Sequence, residues 1–155
     1  MPQKNMGVHA ITSTVSGIAR SITTPIEIRD VFSGKSIQTK GLWDTGATGS
    51  VITKSTAQAL GLTSFGKRLV RGVHGAKEVN EYFVNITLDN KNITLNTRVT
   101  ECDELSADNS IGLLIGMNVI TKGDFAISNF RGSTTMSFRA PSMQKIDFVA
   151  ALKTP

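Results

Sequence analysis

Residues 41–52 read Gly-Leu-Trp-Asp-Thr-Gly-Ala-Thr-Gly-Ser-Val-Ile, and this stretch decides how the rest of the chain is interpreted. The apolar residues before Asp44 predict a buried strand that ends at this aspartate, and Gly46 allows the backbone to turn closely there. The valine and isoleucine at the end of the stretch return the chain to apolar surroundings. The sequence therefore predicts a tight turn that presents one carboxylate, that of Asp44, from a rigid and partly desolvated base.

Outside this turn, short runs of β-branched and aromatic residues alternate with turn residues, which predicts a mainly β fold. A short helix is predicted from residue 53 or 54 to residue 60, with Thr53 as its N-cap and Gly61 as a left-handed stop. A second short helix is predicted from Met117 to about Lys122. The candidate strands cover residues 8–18, 22–31, 41–43, 67–73, 78–88, 92–100, 113–115, 125–130 and 134–138.

The composition is that of an ordinary folded protein, with 155 residues of which 39% are hydrophobic and 19% are charged. The net charge of +5 is scattered along the chain, without the basic helix interleaved with aromatics that is typical of nucleic-acid binding. No apolar run is long enough to cross a membrane, and the first residues lack the apolar stretch of a secretory signal. We therefore expect a cytoplasmic protein that binds neither nucleic acid nor a membrane.

Metal and cysteine chemistry are not predicted either. The two histidines, His9 and His74, form no cluster with the spacing of metal ligands. The single cysteine, Cys102, can form no intrachain disulfide and has no evident partner for nucleophilic catalysis. We therefore expect no metal and no cofactor, and we expect Cys102 to be a buried or partly buried structural thiol.

A second informative run, at residues 113–120, reads Leu-Leu-Ile-Gly-Met-Asn-Val-Ile and places a glycine just before the second predicted helix. Its central residues are Leu114, Ile115 and Gly116. Together with the Asp-Thr-Gly-Ala sequence that begins at Asp44, this run resembles the two landmarks of retropepsin-like aspartic proteases, the single-lobed type known from retroviruses. The resemblance implies a closed β-barrel-like lobe with one or two short helices and an active site at a dimer interface.

The resemblance covers a core of about residues 22–138 within a single domain of residues 1–155. It leaves terminal extensions at residues 1–21 and 139–155. The second extension contains a small apolar set that fits either a docked tail or an interface arm, namely Ile146, Phe148, Val149 and Leu152.

One catalytic carboxylate per chain implies two chains. An isolated aspartate has a pKa of about 3.9, so at neutral pH it serves as a base but not also as the acid that peptide hydrolysis needs. Two carboxylates held about 3 Å apart share one proton and supply both roles. Because Asp-Thr-Gly occurs once in the sequence, the second carboxylate must come from the Asp44 of another copy, most simply across a two-fold axis. The resemblance implies that this dyad activates a water molecule that attacks the peptide bond, without a covalent intermediate.

The resemblance also assigns roles to the residues that follow Asp44. Thr45 is expected to form a hydrogen bond across the dimer to the other loop, and a local turn bond is the alternative. Gly46 is expected to offer its backbone to an extended polypeptide substrate, while Ala47 keeps the floor of the cleft small.

Residues 70–77 predict the tip of a β-hairpin, because two glycines interrupt a run of strand-forming residues. In retropepsin-like proteases this position is occupied by a mobile flap that closes over the peptide. An ordinary surface hairpin is the alternative interpretation. The residues assigned to the flap are Gly72, Val73, His74 and Gly75.

Two positions depart from the pattern of many retroviral members. Thr48 stands where they often have an aspartate, and Met117 stands where they often have an arginine after the glycine of the second landmark. Because those two residues usually form an ion pair, their joint absence predicts the loss of one stabilising contact, with consequences for dimer strength and substrate contacts rather than for catalysis.

The leading hypothesis is therefore an aspartic endopeptidase that acts as a homodimer on extended polypeptides. A catalytically weak or inactive peptide-binding or assembly module of the same fold is the alternative, because the missing ion pair and the added ends leave room for it. A nucleic-acid-binding β domain, supported only by the net charge, is the third.

Overall fold

The computed structural model describes residues 7–153, and ten β-strands and three short α-helices follow one another in this part of the chain. The helices are α1 (Lys54–Leu60), α2 (Met117–Ile120) and α3 (Phe148–Ala151), and a short 3₁₀ helix covers Phe130–Gly132. The strands are β1 (His9–Ser16), β2 (Ile22–Asp30), β3 (Ser36–Trp43), β4 (Ser50–Thr53), β5 (Gly66–Gly72), β6 (Gly75–Leu88), β7 (Thr94–Cys102), β8 (Ile111–Ile115), β9 (Asp124–Ser128) and β10 (Ser133–Ala140).

Six strands close into a barrel in the order β2-β3-β8-β4-β7-β6, and the pairing of β6 with β2 completes the closure. Strand β5 pairs with β6 as a hairpin that extends the sheet beyond the barrel. Strands β3 and β8 run parallel, as do β4 and β7. The predicted mainly β class and closed barrel are confirmed, and the parallel pair β3 and β8 places the two sequence landmarks side by side.

Alternating side chains of the barrel strands fill an apolar core, as the period of two along a strand requires. The indole of Trp43 belongs to this core, where it stacks on the ring of Phe125 at 5.4 Å and meets the tilted ring of Phe138 at 5.1 Å. Its Nε1–H donates a buried hydrogen bond of 2.9 Å to Oγ1 of Thr24. Trp43 therefore connects the strand that leads to Asp44 with the strands of a second sheet.

This second sheet has three antiparallel strands in the order β1-β10-β9. Strand β1 lies within the predicted N-terminal extension and pairs with β10 along its whole length, from His9 opposite Ala140 to Ser16 opposite Ser133. Residues 1–6 of that extension, like residues 154–155, lie outside the described residues. The proposed domain boundaries stay a prediction.

The first two helices follow the sequence prediction closely. Oγ1 of Thr53 accepts the backbone N–H of Thr56 at 3.3 Å, and Gly61 has a left-handed φ of 70°, so both ends of α1 are as predicted. Helix α2 ends at Ile120, two residues before the predicted end, because its last carbonyls are satisfied by the turn that follows.

The C-terminal segment adds a third short helix to the two that the sequence predicts. The carboxylate of Asp147 accepts the N–H groups of Val149 and Ala150 at 3.1 and 3.0 Å and starts helix α3. The side chains of Phe148 and Leu152 are 72% and 88% exposed, so this apolar segment does not dock on its own subunit. None of the helices in residues 7–153 has the length and hydropathy of a membrane span.

Candidate active site

Asp44 begins the loop that follows strand β3, and the backbone of its neighbours fixes its position. Its N–H donates to the carbonyl of Ile115 at 3.0 Å, which joins it to the end of β8. The N–H of Gly46 donates to Oδ1 of Asp44 at 2.8 Å, and the N–H of Ala47 lies 3.4 Å from its carbonyl. Asp44 is half-buried, and one oxygen of its carboxylate is held by a backbone donor.

The second landmark lies directly beside this loop, here called the Asp44 loop (residues 44–49). In the parallel pair, Leu42 is opposite Leu114 and Trp43 is opposite Ile115. Beyond the strands, the N–H of Met117 donates to the carbonyl of Ala47 at 2.8 Å, and the N–H of Asn118 donates to that of Thr48 at 3.1 Å. The two predicted segments are therefore joined by main-chain hydrogen bonds.

Gly116 is the point of closest approach between the two segments. A Cβ atom on this residue would lie 2.3 Å from the carbonyl oxygen of Gly49 and 3.0 Å from that of Ala47. Both neighbours are backbone atoms, which cannot move without displacing the loop. The landmark glycine is therefore required for the position of the Asp44 loop and not for a turn of its own.

A polar network that the sequence analysis missed supports the same loop. Oγ of Ser50 accepts the N–H of Gly116 at 3.0 Å and donates to Oδ1 of Asn118 at 2.7 Å. The amide of Asn118 in turn donates to Oγ1 of Thr97 at 2.8 Å and to the carbonyl of Arg98 at 3.3 Å. The sequence signal for this network was Asn118 inside an otherwise apolar run, whereas Ser50 follows Gly49 as an ordinary turn residue would.

Thr45 and Gly46 form the exposed tip of the Asp44 loop, and Ala47 behind them is half-buried. Within residues 7–153, the hydroxyl of Thr45 makes no hydrogen bond, so the alternative of a local turn bond is not observed. A hydroxyl without a partner at the open end of the loop is free to bond outside its own subunit.

The predicted hairpin tip is present at the end of strands β5 and β6. Gly72 pairs with Gly75, which has a φ of 107°, and the side chain of Val73 is fully exposed. Val73 and His74 form the two-residue turn. The hairpin is in the predicted place, and its role as a flap stays a prediction.

A groove of about 920 Å³ separates this hairpin from the Asp44 loop. One wall is strand β5, and the opposite wall is the Asp44 loop with the start of β4 and helix α2. Its floor consists of residues of β6 and β7. Although Asp44 itself is not on the wall, its neighbours Gly46 and Ala47 are, so the groove leads along the loop that carries the carboxylate.

Comparison with known proteins identifies the family. A family model described as aspartyl protease matches residues 24–119, which is more than half of the chain and includes both landmarks. The chain belongs to the aspartyl protease family. A search of curated proteins gave no match.

The fold agrees with this assignment. A retropepsin-like aspartic protease from Rickettsia conorii superposes with a TM-score of 0.55 at 14% identity, over 86% of this chain and 96% of that chain. The EIAV protease in complex with the inhibitor HBY-793 gives 0.46 at 22% identity, over 65% and 86%. The retroviral protease-like domain of Ddi1 from Leishmania major gives 0.48 at 20% identity, over 70% and 82%.

Two other reactive side chains, those of Cys102 and His74, do not line the groove beside the Asp44 loop. Burial raises the pKa of the Cys102 thiol to about 11, and the negative charges of Asp103 and Glu101 add to the effect, so the thiol is a poor nucleophile. His74 is exposed at the hairpin turn. Among the described residues, no cluster of His, Cys, Asp and Glu is placed to hold a metal ion.

Proposed function

We propose that this protein is an aspartic endopeptidase in which the Asp44 residues of two subunits form the catalytic dyad. The observation that carries the proposal is the placement of a half-exposed Asp44 beside the exposed tip of a loop that is fixed by Gly46, Ile115 and Gly116. Membership of the aspartyl protease family and the retropepsin-like fold support peptide hydrolysis as the reaction.

The need for a second subunit follows from the chemistry of a single carboxylate. The sequence contains one Asp-Thr-Gly triplet, and the described residues place no other carboxylate on the Asp44 loop. The loop tip, with the unbonded Thr45 hydroxyl, is exposed in one subunit and is suited to face an identical tip across a two-fold axis. In that arrangement Thr45 would bond to the partner loop and hold the two carboxylates together.

The proposed reaction uses one ionised and one protonated carboxyl group. The ionised Asp44 takes a proton from a water molecule, which attacks the carbonyl carbon of the scissile peptide bond. The protonated Asp44 of the partner subunit donates a hydrogen bond to the developing oxyanion. The carboxyl that gained the water proton then delivers a proton to the amine nitrogen as the C–N bond breaks, which regenerates the dyad.

The groove accounts for how a substrate would be held. An extended peptide that lies between strand β5 and the Asp44 loop can form main-chain hydrogen bonds with both, as in other cases of β-strand addition. The β5–β6 hairpin would close over it and exclude water during the reaction.

The variant Asp44→Asn tests the proposal, because asparagine keeps the shape of the side chain but cannot exchange a proton. We expect peptide cleavage to fall by at least about 10²-fold while the circular dichroism and the dimer mass are unchanged. Unchanged turnover would remove Asp44 from the mechanism. If the wild-type dimer binds peptides without cleaving them, the alternative of a peptide-binding or assembly module would be favoured.

A subunit-mixing experiment tests the shared site separately. When wild-type and Asp44→Asn chains are refolded together in equal amounts, random pairing leaves about a quarter of the dimers with two aspartates. The activity should then be about half of that given by the same amount of wild-type chain refolded alone. Activity that does not change on adding the variant would show that each subunit works by itself.

A further inference from the structure

The charged side chains on the groove are nearly all cationic. Arg68 and Arg71 lie on the β5 wall, Arg98 lies on the floor, and Lys122 follows helix α2. Among the described residues that line the groove, Glu81 is the only carboxylate. Charges of one sign in a concave site with low-dielectric walls attract ligands of the opposite sign more strongly than the same charges on an open surface.

Glu81 offsets only one of these positive charges, because it is covered and faces Arg68. Glu81 is 8% exposed, and its Oε1 lies 3.6 Å from Nη1 of Arg68. The same oxygen is buried without a hydrogen bond. The pair therefore neutralises Arg68 and leaves Arg71, Arg98 and Lys122 as the cations of the groove.

Arg98 is held in place without being neutralised. It lies opposite Phe83 in the β6–β7 ladder, on the same outward face as Glu81, because residues two apart along a strand share a face. Its guanidinium lies 5.5 Å from the ring centre of Phe65, a cation–π contact that orients the group and keeps its charge. Within residues 7–153, neither Arg98 nor Lys122 has a carboxylate within 4 Å.

The outer edge of strand β5 decides which kind of anion fits. β5 is the last strand of its sheet in the described part of the chain, so the backbone groups of its outer edge have no strand partner. An extended peptide can pair with such an edge, and its side chains then alternate between the two faces of the added strand. A nucleic acid would use the cations but not this edge.

We propose that the groove selects extended peptides that carry Asp or Glu side chains, with Arg98 and Lys122 as the residues that determine this preference. The assignment rests on the proposed peptidase function for its cleavage step. A substrate carboxylate meets the planar guanidinium of Arg98, which can bind both of its oxygens, and the mobile ammonium of Lys122 adds attraction at longer range.

Peptide binding by the Asp44→Asn dimer tests the preference without cleavage. Peptides with an uncharged fluorophore are compared by anisotropy in three matched forms, with acidic residues, with the corresponding amides, and with lysines. We expect the acidic form to bind about fivefold more tightly than the amide form, and the ratio to fall toward one as salt is raised. Equal affinity for the acidic and amide forms at low salt would overturn the proposal.

Two charge-reversal proteins separate local contacts from net charge. Arg98→Glu with Lys122→Glu should abolish or reverse the preference for the acidic peptide. Lys35→Glu with Lys40→Glu changes the net charge equally at exposed positions outside the groove and should leave the ratio unchanged. Equal effects of the two pairs would overturn the assignment. Lys122→Glu alone, at an exposed position, provides the same test if the double variant does not fold.

Cleavage and competition assays distinguish the remaining outcomes. Cleavage of acidic and amide peptides at equal rates, abolished by Asp44→Asn, would refute the charge preference and leave the proposed function intact. Tight binding of acidic peptides without Asp44-dependent cleavage would support the charge preference and refute the proposed peptidase function. Single-stranded DNA of equal charge is the competitor in the last assay. If it displaces the acidic peptide at equal concentration, and if this displacement also depends on Arg98, the groove selects anions in general and the proposal is overturned.

Discussion

Substitution of Gly116 by alanine should disable the active site through the backbone, without touching a catalytic side chain. The added Cβ would lie 2.3 Å from the carbonyl oxygen of Gly49, whereas real Cβ contacts stay beyond about 3.0 Å. The Asp44 loop must therefore move by about 0.7 Å, the difference between these distances. Since a misplacement of about 1 Å can cost 10²-fold in rate, we expect kcat to fall by about 10- to 100-fold.

The same clash should also lower stability, because overpacking against a fixed backbone costs about 1–3 kcal/mol. Urea unfolding and peptide hydrolysis measured on the same preparation give the two quantities. Gly49→Ala is the matched control, since its Cβ would meet no atom within 4 Å and its φ is not left-handed. If Gly116→Ala were as active and as stable as Gly49→Ala, the close approach of the two landmarks would not govern the position of Asp44.

Two further predictions concern groups outside the Asp44 loop. Thr24→Val removes the hydrogen-bond acceptor of the Trp43 indole N–H, so the free energy of unfolding in urea should fall by about 1–3 kcal/mol. Thr24→Ser keeps a hydroxyl acceptor and should lose much less of this free energy. If Thr24→Val were as stable as wild type, the indole would have found another acceptor. Because burial raises the pKa of Cys102 from 9.0 to about 11, its thiolate fraction at pH 8 is about a hundredfold lower than that of an ordinary thiol. Alkylation of the folded protein by iodoacetamide should be slower by about that factor than alkylation of the urea-unfolded chain. The rate in the folded protein should rise as the pH approaches 11. Equal rates in the folded and unfolded states would contradict the raised pKa of Cys102.

The features that the sequence predicted well are those set by neighbouring residues. The ends of α1 follow from a threonine N-cap and a glycine at left-handed φ, and both act within one turn of the helix. The position of the β5–β6 hairpin follows from two glycines within a strand-forming run. The Asp44 turn likewise follows from the change between apolar and small residues over a few positions.

The features that the sequence did not predict depend on contacts between distant segments. The bond from Ser50 to Asn118 spans 68 positions, and the serine alone is typical of a surface turn. The first half of β3 is absent from the predicted strands, because its polar residues are stabilised by pairing with β2 and not by their own propensity. The concentration of cations on the groove was also missed, since Arg71, Arg98 and Lys122 stand singly and far apart in the sequence.

The two departures from the retroviral pattern are understood from the same long-range contacts. The sequence predicts that Thr48 and Met117 remove one stabilising ion pair, yet their segments are joined by main-chain bonds from Met117 to Ala47 and from Asn118 to Thr48. Main-chain bonds do not depend on which side chains these positions carry. The Ser50–Asn118 network adds side-chain hydrogen bonds at the same junction, where only a small residue such as Gly116 allows the segments to meet. The position of Asp44 within a subunit is therefore fixed by close backbone packing, and the loss of the ion pair leaves the junction intact.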